Sequence, residues 1–241
     1  MQSQLLELYE SQLAKARSYP QVTPKLSCPL LISVRPGWEF AERRVLVVGQ
    51  ETFGWDLELS RQGVSVTISR LQQLLDAGLL RSSVEALTRK YDEFFYVGGW
   101  LNRPFWNAVD ALRTLFGRDA VLWSNVFRFD FEGRSILKAS AKELAEIFAI
   151  QDGMLRDEIK VVKPTAVVFF SGPNYDFALE REFGSIQKQQ VANFPEHGFA
   201  RLVAGGLPPA TYRTYHPAYL WRSKKREWLA HLERLLAEVK E

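Results

Sequence analysis

Apolar side chains recur along this chain in two ways, at helical spacing and in short unbroken runs. Leu5, Leu6, Tyr9, Leu13 and Ala16 fall on one face of a helix over residues 1–17. The pattern stops near Tyr19-Pro20, because proline drives its predecessor out of the helical region. Residues 20–42 are proline-rich and aperiodic, and read as an extended surface connection. Val45-Leu46-Val47-Val48, closed by Gly49, is a continuous apolar run of the kind found in a parallel strand covered on both faces. Residues 68–80 and 84–94 carry helical patches, interrupted by Gly78 and closed by Gly98-Gly99, so residues 56–100 read as a helical insertion. Pro104 opens a helix that Gly117 ends. A strand over 120–126 follows, then a helix over 140–162 with Ser140 as its cap and Glu143 three residues on, then a strand over 165–170. A helix over 173–183, irregular strands within 187–203, a strand over 210–215 and a terminal helix over 222–239 complete the chain. The order β-α-β-α-β-α-β predicts an α/β fold, three-layer α/β/α with a central mostly parallel sheet.

Composition narrows this picture. The 241 residues, 46% hydrophobic and 13% aromatic, suit one domain spanning 1–241 with a substantial core. A net charge of +3 is compatible with a polyanionic partner without requiring one. The single Cys28 excludes an internal disulfide, a thiolate zinc cage and a four-cysteine cluster, and points to a reducing compartment. No apolar run approaches the roughly 20 residues that span a bilayer. We therefore expect a monomeric cytoplasmic protein with no membrane association, metal or cofactor.

Parallel sheets place ligand sites at the carboxyl ends of their strands, so the strand exits are where chemistry is sought. The first exit, Gly49-Gln50-Glu51-Thr52-Phe53-Gly54, sets an amide, a carboxylate and an aromatic ring between two glycines; by itself it is also an ordinary polar turn. At the second, Asn125 offers one donor and one acceptor edge, which match the amide or imide face of a nucleobase and equally suit a turn or a cap. Phe105 and Trp106, at the start of the helix opened by Pro104, suit either base stacking or the core. The last exit supplies His216, a donor toward developing negative charge, with Tyr219 and Leu220 on the loop after it. Arg222, Lys224, Lys225 and Arg226 then fall at a predicted helix start, where cations oppose the helix dipole unless a phosphate is bound; the alternative is a solvated basic face.

In their order, Gly49-Gln50-Glu51-Thr52-Phe53, Asn102-Arg103-Pro104-Phe105-Trp106, Ser124-Asn125-Val126, the run from Lys163 to Gly172 and His216-Pro217-Ala218-Tyr219-Leu220 resemble the motifs of the uracil-DNA glycosylase superfamily. The resemblance spans about residues 44–220 and leaves the insertion unmatched. It implies that family's fold, with DNA as partner and hydrolysis of the N-glycosidic bond of uracil, or of another modified or mismatched base, flipped from DNA. It also implies roles: Glu51 handles the water, His216 assists the departing base, and Asn125 reads the base with Gln50, Phe53 and Phe105 around it. Leu220 intercalates, while Tyr219, Arg222, Lys224, Lys225 and Arg226 hold the DNA. Members that excise uracil most efficiently carry Asp-Pro-Tyr where this chain has Glu51-Thr52-Phe53. That departure keeps open a non-catalytic nucleic-acid or nucleotide binding module of the same fold. A small-molecule enzyme or regulatory domain using the same crevice is a third reading.

Overall fold

In a computed structural model of the protein, the strands are β1 (Val45–Gly49), β2 (Leu57–Arg61), β3 (Val64–Ile68), β4 (Val121–Asn125), β5 (Ala166–Phe169), β6 (Gln187–Gln190), β7 (Phe199–Val203) and β8 (Ala210–Thr214). The helices are α1 (Gln2–Ala14), α2 (Pro36–Phe40), α3 (Leu71–Asp76), α4 (Leu80–Asp92), α5 (Pro104–Phe116), α6 (Ala141–Gln151), α7 (Met154–Val162), α8 (Asp176–Phe183), α9 (Pro217–Arg222) and α10 (Glu227–Ala237). The structure describes residues 1–61, 64–76, 78, 80–97 and 102–239.

Six strands form one sheet in the order β4-β1-β5-β8-β7-β6. The first four run parallel, with Val45 opposite both Val121 and Ala166, and β7 and β6 are added antiparallel at one edge. β1, β4 and β5 are buried along their whole length, which is why β1 and β5 are continuous apolar runs and β4 turns polar only at Ser124 and Asn125, where it reaches the strand exit. The class is α/β, three-layer α/β/α with a central mostly parallel sheet.

The chain divides into two compact units, each assembled from separate stretches. The first comprises Met1–Ser33, Glu51–Val97 and Phe127–Val161; the second comprises Val34–Gln50, Gly98–Val126 and Val162–Glu241 and holds the six-stranded sheet. The core of the first unit contains a fully buried polar trio. The Tyr9 hydroxyl donates to Glu158 Oε1 at 2.7 Å, and the other carboxylate oxygen accepts from Arg128 Nη2. The backbone N–H of Ile32 donates to the same Tyr9 hydroxyl at 3.2 Å, tying the segment before residue 34 to α1.

Four expectations differ from the observed elements. The stretch 20–42 is not a surface connection: Leu26, Cys28, Leu30, Leu31 and Ile32 are fully buried. Two of their backbone amides donate to distant segments, Cys28 N–H to Trp55 O and Leu30 N–H to Arg128 O, and α2 buries Trp38. The insertion opens on the β2–β3 hairpin before α3 and α4, because the β-branched Val66, Thr67 and Ile68 favour extended backbone; Gly98, Gly99 and Trp100, expected to close it, lie outside the described residues. The helix expected over 140–162 is two helices, since Gly153 adopts φ +76° and breaks the helical run after Asp152. The helix expected over 222–239 starts later, at Glu227, and the loop expected before it is helix α9, which ends at Arg222 and leaves Lys224, Lys225 and Arg226 between the two helices.

Candidate functional site

Four parallel strands of the second unit end on one edge of the sheet, and their exits are tied together by hydrogen bonds. Val126 N–H donates to Gly49 O at 3.0 Å and Phe170 N–H to Val48 O at 2.8 Å. Gly172 N–H donates to Thr214 O at 3.0 Å, and the Gln50 amide donates to Ser171 O at 2.9 Å. Gln50 therefore braces the exits of β1 and β5 through its donor end. Below the β8 exit, the fully buried Arg213 meets Asp176 at the start of α8, Nε to Oδ1 3.1 Å, and donates to His197 O at 2.6 Å.

Asn125, the last residue of β4, is 2% exposed, and its Oδ1 accepts from the Trp123 indole N–H at 3.2 Å. Its Nδ2 is buried without a hydrogen-bond partner, as are the hydroxyls of Ser171 and Thr214 at the exits of β5 and β8. Buried polar groups are rarely left unpaired in a finished core, which makes these three, at the exits of β4, β5 and β8, candidates for contact with a polar ligand. Gly49 is required here by space. A Cβ on it would lie 2.4 Å from Asn125 Oδ1 and 3.3 Å from the Phe105 ring.

His216 is held just beyond β8, in front of α9. Its Nδ1 accepts the Ala218 N–H at 3.2 Å, so the neutral ring carries its proton on Nε2, facing away from that bond. Burial, and after it the Arg222 guanidinium, push the imidazole down to about 4, which keeps it neutral at physiological pH. Phe105 stacks on it with ring centroids 5.3 Å apart and planes 15° from parallel. Phe105 also packs edge-on against Trp106 at 4.8 Å and Phe170 at 6.1 Å. It thus supports His216 from beneath, which differs from the open stacking platform expected for a base.

The structure therefore brings together Gln50, Phe105, Asn125 and His216 in the second unit. Glu51 and Phe53 belong to the first. There Glu51 Oε2 accepts the Ile136 N–H at 2.6 Å, and Phe53 is 83% exposed. Leu220 is completely buried in α9, so the intercalating role implied for it does not hold: the helix that starts at Pro217 turns this side chain into the core. Tyr219 is partly exposed and packs on Tyr215 at 4.4 Å. Arg222, Lys224 and Arg226 are exposed; Arg222 ends α9, while Lys224, Lys225 and Arg226 lead into the start of α10, of which Arg226 is the N-cap. Lys224 takes φ +56° in the turn after α9, Lys225 lies over the Trp228 ring at 4.9 Å, and Arg226 covers Trp221 at 3.3 Å. Glu227 in the first turn of α10 offsets part of the conflict between these cations and the helix dipole, and the rings give Lys225 and Arg226 aromatic partners.

Trp123, Ser171 and Thr214 are site residues that motif reading passed over. Trp123 was recoverable, since residues two apart on a strand share a face. The hydroxyls carried no signal, because Ser and Thr at strand ends are ordinary. Among the described residues, no helix is long and apolar enough to cross a membrane, and no group of three or more His, Cys, Asp or Glu is placed to hold a metal ion. A concavity of about 500 Å³ bordered by Pro164, Arg201, Tyr212 and Glu238 lies toward the other end of β5 and β8 and contains none of these groups. Fold and strand exits define an α/β protein that carries buried polar side chains at its parallel strand ends. No protein-family model matches the sequence, and no curated protein matches it.

Proposed function

We propose that this protein is a uracil-DNA glycosylase-like enzyme that hydrolyses the N-glycosidic bond of uracil, or of another modified or mismatched base, flipped from DNA, acting as a cytoplasmic monomer. The observation that carries the reading is a buried Asn125 amide whose Nδ2 has no partner, together with a neutral His216 stacked on Phe105, the ring that borders Gly49 as the Asn125 oxygen does. Cleavage of such a bond passes through an oxocarbenium-like sugar and leaves negative charge on the departing base. A neutral imidazole whose Nε2 carries the proton can donate to that charge, and its burial keeps it in that form at physiological pH. Asn125 supplies the base edge with a donor in a site where desolvation has already occurred. Glu51 is the carboxylate assigned to stabilise the sugar and orient water.

The test is incubation with oligonucleotides carrying uracil, hypoxanthine, xanthine, mismatched thymine or modified cytosine, followed by alkaline strand scission. Base release is expected, and His216→Ala and Glu51→Gln should each lower the single-turnover rate by roughly 100-fold or more. Variant rates within a few-fold of the parent would remove these residues from the mechanism, and no release from any substrate would remove the enzyme. One observation favours a second reading, a binding module without turnover: Glu51 already anchors the Ile136 amide, a structural task for the only carboxylate in the first exit. Oligonucleotide binding without release would establish that one.

A further inference from the structure

We propose that the concavity of about 500 Å³ toward the far end of β5 and β8 binds a free α-amino acid with an apolar side chain, its carboxylate on Arg201 and Tyr212 and its ammonium on Glu238. The site lies away from the strand exits and does not depend on the glycosylase reading. Arg201 and Tyr212 stand directly opposite each other on the antiparallel strands β7 and β8, so their side chains leave the sheet on the same face. Arg201 Nε–H donates to Pro209 O at 2.9 Å, which fixes the guanidinium, and its terminal nitrogens have no partner among the described residues. Phe199 packs edge-on against the Tyr212 ring at 6.3 Å, and the half-buried hydroxyl likewise has no partner among the described residues. Burial, against a smaller opposing pull from Arg201, holds that hydroxyl above its ordinary value, so it keeps its proton and donates at physiological pH. A fixed guanidinium and a phenol O–H on one face make a receptor for a carboxylate.

The walls leave a ligand few other polar partners. Pro164, Pro208, Pro209, Leu235 and Val239 line the concavity, and proline carries no N–H. The Pro208 carbonyl already accepts the Thr211 hydroxyl at 2.6 Å and the Pro209 carbonyl accepts Arg201, while the Thr165 hydroxyl is engaged with the Arg44 backbone. Glu238 is the third free group. It caps the C-terminus of α10, where a carboxylate opposes the helix dipole, and it makes no ion pair among the described residues although Arg201 lines the same concavity. A phosphate dianion would meet this carboxylate, and a plain hydrocarbon would desolvate Arg201 without pairing it. A zwitterion with an apolar body answers both charges and the proline-rich walls at once.

Isothermal titration calorimetry of the whole protein with L-leucine, isocaproate and isoamylamine tests the assignment, since the last two are leucine without its ammonium and without its carboxylate. Leucine should bind at least about tenfold more tightly than either. Glycine has both charges and no apolar body, and should bind at least about tenfold more weakly than leucine. Arg201→Met keeps the length of the side chain and should weaken leucine about tenfold or more, and Tyr212→Phe should weaken it about fivefold. Glu238 is exposed, so Glu238→Gln leaves the fold intact and decides the matter even where Arg201→Met does not fold. That variant should weaken leucine, spare isocaproate, and bring the two within about threefold of each other. The proposal is overturned by a parent that does not bind leucine, by isocaproate binding the parent as tightly as leucine does, or by an unaltered leucine affinity in Glu238→Gln.

Discussion

His216 shows how much a single side chain's surroundings decide. Histidine ordinarily titrates near 6.5, yet here burial and the nearby Arg222 lower it to about 4, and its Nδ1 is committed as an acceptor to the Ala218 N–H. As pH falls from 6.5 toward 4 the unfolded chain takes up a proton that the folded chain refuses, so folding stability drops across that window by up to about 3 kcal/mol. Above pH 6.5 the group contributes no pH dependence. His216→Gln retains a side-chain acceptor and does not titrate. Denaturant unfolding at pH 7.5 and 4.5 should therefore show the parent losing about 2–3 kcal/mol more than the variant, and equal losses would mean the imidazole is not held neutral. At Gly49 the constraint is purely steric. Gly49→Ala should displace the Asn125 amide and cut uracil binding about tenfold or more while leaving the helical circular dichroism signal unchanged; undiminished binding would show that the amide has room to yield.

Elements are held by contacts between residues far apart in sequence. In the first unit, α1, the segment before residue 34, the loop segment at Arg128 and α7 converge on the buried Tyr9–Glu158–Arg128 trio. Burial and the adjacent Glu158 carboxylate hold the Tyr9 hydroxyl well above its ordinary value, so it remains a donor at any physiological pH. Glu158→Gln removes the negative charge opposite a buried guanidinium, and should destabilise the fold by about 3–5 kcal/mol. Tyr9→Phe removes one hydrogen bond and should cost about 1–2 kcal/mol. Urea unfolding of the two variants checks the order, and a smaller loss for Glu158→Gln than for Tyr9→Phe would show that solvent reaches the Arg128 charge.

At the scale of the whole molecule, a net charge of +3 implies little, and the placement of cations matters more than their sum. The turn between α9 and α10 presents Arg222, Lys224 and Arg226 beside the half-exposed Trp221. If this surface meets DNA phosphates, replacing Arg222, Lys224 and Arg226 by Ala should weaken oligonucleotide binding for every sequence and reduce the slope of log affinity against log salt by about 2–3. Fluorescence anisotropy over 50–200 mM salt measures it. An unchanged slope would return these residues to a solvated face whose partners are the Trp221 and Trp228 rings.

The class of fold was legible in the chain because buried parallel strands read as continuous apolar runs, plain at Val45–Gly49 and Ala166–Phe169 and, up to Trp123, at the start of Val121–Asn125. The capping box at Ser140 and Glu143 and the proline that opens α5 were legible for the same reason, since local chemistry there suffices. Strand exits could be named as the place for Asn125 and His216, but sequence spacing carries no information about what a side chain meets across the sheet. Only tertiary structure turned Leu220 inward, set Phe105 under His216, drew the residues before 34 into the core and gave Lys225 and Arg226 aromatic partners. It alone decided which end of the Asn125 amide is occupied, because that depends on a donor-only indole brought to 3.2 Å. Local pattern determines which residues enter a strand or helix, and burial against distant neighbours determines what each of them can do there.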